Sequence, residues 1–81
     1  MDMGKKITAE ELSNAVSDLF PVTETLTIDS DLSKYIKDSI DLGELTAVLK
    51  ERHGVVPQDM QLFKTHVRLE DVLKIFNHEA I

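Results

Sequence analysis

Three observations predict an all-α fold for this chain of 81 residues. Apolar residues recur at helical spacing in three separate segments, each bounded by residues that start or stop helices. No segment alternates apolar and polar residues with the period of a strand, and no unbroken apolar run exceeds three residues, too short for a buried strand. Three amphipathic stripes can be covered only by one another. The expectation is therefore a small four-helix bundle: three main helices, one short helix and a long loop after the first. It fills the chain as one domain, 1–81, with its core over about residues 7–77.

The first helix is predicted over about 9–20. Thr8 can cap it while Glu11 reaches back, Ile7 can staple onto Leu12, and Pro21 lacks the amide needed to continue. Leu12, Ala15, Val16, Leu19 and Phe20 form its apolar stripe. Residues 21–38 read as a long connector, with Leu26, Ile28, Leu32 and Ile36 as anchors toward the core. A loop of that length in a compact domain is functional or tacked down. Asp38 begins the second helix as an N-cap, with Asp41 favoured in the first turn by the helix dipole. Gly54 ends it as a left-handed residue. Leu42, Leu45, Val48 and Leu49 give its inward stripe. Residues 57–64 hold a short turn of helix in which Met60, Leu62 and Phe63 supply apolar contacts. The last helix runs to about Asn77, with Leu69, Val72, Leu73 and Phe76 in its stripe beside Ile75.

Composition narrows the function. Nine Lys and Arg against fifteen Asp and Glu give a net charge of −6, a surface that repels phosphate backbones and favours basic protein partners. Nucleic-acid binding is not expected. The chain has no cysteine, so any thiol chemistry must come from outside. No stretch approaches the roughly 18 to 20 apolar residues of a membrane span, and a monomeric, cytoplasmic protein is the expectation. The spacing of His53, His66 and His78 does not put two imidazoles on one helical face, so no metal site is expected. Asp29, Asp31 and Ser33 alternate as in a calcium loop, but Lys34 and Ile40 occupy its glycine and glutamate positions.

The most informative stretch is Asp38-Ser39-Ile40-Asp41-Leu42-Gly43-Glu44-Leu45. A lone serine at a helix start is usually structural, and its hydroxyl is a weak nucleophile without an adjacent base. His53 cannot be that base, because it lies roughly 21 Å farther along the same helix. His66 and His78 belong to no nucleophile motif such as G-x-S-x-G. In context the stretch resembles the attachment site of the acyl carrier proteins, and the order of helices and loops resembles their fold over about residues 7–77.

That resemblance implies that Ser39 is a tether and that the protein is not an enzyme. A phosphopantetheinyl transferase (a holo-carrier synthase) would esterify Ser39 with 4′-phosphopantetheine, making a phosphoprotein whose thiol holds acyl groups as thioesters. The partners it implies are acyl-loading and condensing enzymes of fatty-acid or related lipid and polyketide biosynthesis, with basic docking surfaces. Rotation at 100° per residue puts Ile40, Gly43, Glu44, Ala47 and Glu51 opposite the apolar stripe. By resemblance Asp38, Ile40, Asp41 and Glu44 recognise partners, and the small Gly43 and Ala47 leave a shallow strip beside them. Tyr35-Ile36-Lys37 stands where many members have glycine, Gly43 replaces a larger apolar residue and Lys50 an acid. These departures suggest a specialised pathway.

Leu45, Leu49, Met60, Leu62, Phe63, Leu69, Val72 and Phe76 could part to admit an acyl chain or simply form a packed core. Peptidyl, polyketide and D-alanyl carriers share this fold. A small helical interaction domain, with Ser39 only at a helix start, is the alternative from another class.

Overall fold

A computed structural model describes residues 6–81. Three α-helices pack together: α1 (Ala9–Leu19), α2 (Ser39–His53) and α3 (Leu69–Phe76), with 3-10 segments at Leu32–Lys34 and Met60–Lys64. Among the described residues there is no strand, only an isolated antiparallel bridge between Asp31 and Arg68. Where a short fourth helix was expected, within 57–64, the chain forms a 3-10 segment, Met60–Lys64, so the described residues hold three α-helices and not four. The start of that segment is fixed by Asp59, whose carboxylate accepts the Gln61 N–H at 2.9 Å. Among the described residues, no helix is long and apolar enough to cross a membrane.

Local chemistry accounts for the helix ends. At α1, Thr8 Oγ1 accepts the Glu11 N–H at 3.1 Å while Glu11 Oε1 accepts the Thr8 N–H at 2.9 Å. This reciprocal box satisfies two backbone donors that a helix start leaves orphaned. Ile7, just outside it, is buried with Leu12 in the core. The helix stops at Leu19, and Phe20 is already extended before Pro21. Gly54 closes α2 at φ 70°, a left-handed conformation that a Cβ would penalise.

Packing follows the stripes. α1 contacts both α2 and α3. Leu12, Ala15 and Val16 meet Leu42, Leu45, Leu49, Leu69, Val72, Ile75 and Phe76 in one buried cluster, with Leu19, Phe20 and Val48 partly buried at its edge. The 3-10 segment joins through Phe63, whose ring centroid lies 5.9 Å from that of Phe76 at a tilt of 58°, an arrangement the aromatic quadrupoles favour.

The long connector is tied down by backbone more than by side chains. Leu32 is fully buried and its N–H donates to the Val67 carbonyl at 2.9 Å. The N–H groups of Leu69 and Glu70 donate to the carbonyls of Ser30 and Ile28 at 2.8 and 3.0 Å. α3 has no side-chain cap, so these connector carbonyls take up its first-turn donors. Ile28 therefore anchors the loop through its carbonyl: its side chain is 51% exposed, contrary to the apolar anchoring expected of it. Leu26 and Ile36 are half-buried, as anchors should be. Further along the loop, the Tyr35 hydroxyl donates to Glu24 Oε2 at 3.0 Å. Partial burial and this bond hold its pKa above the usual phenol value. The Asp31 carboxyl is held below the usual carboxylate range by its hydrogen bonds from Ser33.

Asn77, just after α3, clasps Ile7, just before the cap of α1. Its Oδ1 accepts the Ile7 N–H at 2.8 Å and its Nδ2 donates to the Ile7 carbonyl at 2.9 Å. Asn77→Ala leaves both groups of a partly buried peptide without their partner, at a cost of about 1 to 3 kcal/mol. A fall in melting temperature of about 4 to 8 °C per kcal/mol is expected. An unchanged melt would show that the clasp contributes nothing. Gly43 is the opposite case. It lies inside α2, and a Cβ built there meets nothing within 4 Å. Gly43→Ala should therefore stabilise the protein by up to about 1 kcal/mol, visible as a higher melting temperature, and a lower one would refute this account of α2.

Candidate functional site

The start of α2 is built by two carboxylates around an unused hydroxyl. Asp38 is extended, at φ −150°, and its Oδ1 accepts the Asp41 N–H at 2.9 Å. Asp41 Oδ2 in turn accepts the Lys37 N–H at 3.0 Å. Ser39 is the first helical residue and is exposed, and the capping bonds run through Asp38 and Asp41 without its hydroxyl. Rigid, hydrogen-bonded backbone thus holds a free primary alcohol at the positive end of a helix of 15 residues.

Beside Ser39 opens a groove of about 350 Å³, within the range of small-molecule sites. Ile36, Leu42, Met60, Phe63 and Val67 form its apolar wall, and Lys37, Asp38, Gln61 and Lys64 its polar groups. It lies where the start of α2 faces the Met60–Lys64 segment. Of the two readings left open for the inner helix faces, an interior that parts or a packed core, the structure shows them packed. Leu45, Leu49, Leu69, Val72 and Phe76 are all fully buried and closely packed, whereas Met60, expected inside, is 45% exposed and lines the groove. A short 3-10 segment has too few turns to bury a continuous stripe, so Phe63 goes inward while Met60 stays out.

The outer face of α2 matches its rotation. Ile40 is 72% exposed, the most exposed large apolar side chain among the described residues. Gly43, Glu44, Ala47 and Glu51 are also exposed, while Leu42, Leu45 and Leu49 are buried on the other side. Asp38, Ile40, Asp41, Gly43, Glu44 and Ala47 therefore lie together on the first turns of one helix, with the carboxylates of Asp38 and Asp41 engaged in its cap.

The structure does not pair the histidines with Ser39. His53 Nδ1 lies 3.4 Å from Glu11 Oε2, across the α1–α2 contact. His66 Nδ1 is 2.9 Å from Thr65 Oγ1 and 3.2 Å from the Leu62 carbonyl. His78 Nε2 is 2.8 Å from the Val56 carbonyl. Sequence reasoning passed over Lys37, Gln61, Lys64 and Val67 as groove residues. The available signal was charge: lysines flank the serine and the 3-10 segment in an otherwise acidic chain.

Comparison with known proteins finds no matching family model, no matching curated protein and no matching solved structure.

Proposed function

We propose that this chain is a carrier of the acyl-carrier type, with Ser39 as the attachment point of 4′-phosphopantetheine and without catalysis of its own. The observation that carries the proposal is the Ser39 hydroxyl: exposed, outside the capping network and on the wall of a mostly apolar groove. A serine whose hydroxyl served the helix start would stand at the N-cap position. Asp38 stands there instead.

The residues present suit the group. An exposed alcohol on rigid backbone is accessible to a phosphopantetheinyl transferase, the helix start favours the phosphate, and Ile36, Leu42 and Phe63 offer apolar surface within the adjoining groove. When attached, the group supplies the thiol that this cysteine-free chain lacks, and that thiol holds acyl cargo as a thioester. Ile40, with Asp38, Asp41 and Glu44 around it, presents an apolar knob among acids. Enzymes of lipid or polyketide biosynthesis with basic docking surfaces complement such a patch, and the open strip at Gly43 and Ala47 favours partners with bulk of their own.

The test is incubation of the protein with a broad-specificity transferase and coenzyme A, followed by peptide-level mass spectrometry. Modification confined to Ser39 is the expected result. No modification, or modification at Ser30 or Ser33 instead, would sink the assignment.

A further inference from the structure

The lysines beside Ser39 carry one more step. Of the eight described lysines and arginines, Lys6, Lys34, Arg52 and Lys74 pair with carboxylates. Lys37, Lys50, Lys64 and Arg68 have no carboxylate partner among the described residues, although acids outnumber bases fifteen to nine over the whole sequence. Two of those four, Lys37 and Lys64, line the same groove, together with Ser39. Lys37 comes from the connector and Lys64 from the end of the 3-10 segment, so the fold brings together cations that are 27 positions apart in sequence. The acids beside them, Asp38 and Asp41, accept the N–H groups of Asp41 and Lys37 and pair with neither ammonium group.

We infer that Lys37 and Lys64 are positioning residues for the phosphodiester of the arm on Ser39, drawing the arm back along the groove instead of leaving it free in solvent. The inference rests on the reading of Ser39 as the attachment point. The phosphorus of such an ester is one bond from Oγ, so its negative charge falls at the edge of the groove that both lysines line. From there the wall formed by Met60, Phe63 and Val67 offers apolar surface to the rest of the arm. Two side-chain ammonium groups near a singly charged phosphodiester act as point charges. Their hold is partly solvated and weakens with salt, because the screening length shrinks from about 10 Å at 0.1 M to about 3 Å at 1 M. Such an arm would be stored against the protein until the basic surface of a partner competed with the two lysines for its phosphate and released it.

Amide chemical shifts of the apo and arm-bearing protein, with the phosphorus-31 resonance of the arm, test this in the full chain. In the unaltered protein, attachment should shift amides at 60, 61, 63 and 67 as well as those around Ser39. Those distant shifts should fall by half or more between about 0.05 and 0.5 M salt, and the phosphorus resonance should move with them. In the Lys37→Gln, Lys64→Gln double variant the distant shifts should be lost and the phosphorus resonance should become insensitive to salt. Both lysines are exposed, and unchanged apo amide shifts elsewhere would confirm that the variant is folded. Arm attachment with shifts confined to the first turn of α2, or a double variant indistinguishable from the original, would overturn the inference while leaving the carrier reading intact. No attachment at all would overturn both.

Discussion

Ser39→Ala is expected to abolish arm attachment completely while moving the melting temperature by no more than about 2 to 4 °C. The separation follows from the geometry at the start of α2. The cap belongs to Asp38 Oδ1 and is reinforced by Asp41 Oδ2 on the Lys37 N–H, so removing the Ser39 hydroxyl breaks neither bond. Surface changes that spare such features stay within roughly 0.5 kcal/mol, and alanine is the better helix former. The complementary substitution, Asp38→Ala, removes the cap at a cost of about 0.5 to 2 kcal/mol while keeping the alcohol. Modification measured by intact mass and stability measured by thermal melting should thus respond to different residues. A Ser39→Ala protein that lost much of its helical signal would show that the hydroxyl is structural.

The largest effect on stability should come from Phe76→Ala. Its side chain is fully buried, and its ring joins α3 to the Met60–Lys64 segment through Phe63 at 5.9 Å. Phenylalanine-to-alanine changes in cores cost about 3 to 5 kcal/mol. Small domains have total stabilities of only about 5 to 15 kcal/mol, and one this short buries a modest fraction of its surface. The expected result is a melting temperature lower by more than about 12 °C and loss of a sharp transition. Phe76→Leu, which keeps most of the volume, should fall between the two. A Phe76→Ala protein melting within a few degrees of the original would contradict the packing described here.

What was legible in the sequence was local. The box of Thr8 and Glu11, the cap at Asp38 and the left-handed Gly54 are written in residues three or four apart or in a single side chain's conformational freedom. The inward and outward faces of α2 follow from the helical period, which is why Ile40, Gly43, Glu44 and Ala47 are exposed as expected. What was illegible depends on pairings distant in sequence. The connector's carbonyls meeting the N–H groups of α3, and Asn77 clasping Ile7, carry no local pattern. Ile28 looked like an anchor because its side chain is apolar, but the anchoring atom is its carbonyl. The groove could not be placed either, since Lys37 and Lys64 become neighbours of one cavity only once the chain is folded.

The central claim is that Ser39 is a tether, and intact-mass spectrometry of the protein treated with a phosphopantetheinyl transferase and coenzyme A tests it most directly. A single added phosphopantetheine per chain, absent from Ser39→Ala treated in parallel, is the predicted result. A mass unchanged by treatment, in a protein whose far-ultraviolet spectrum shows it to be helical and folded, would contradict it.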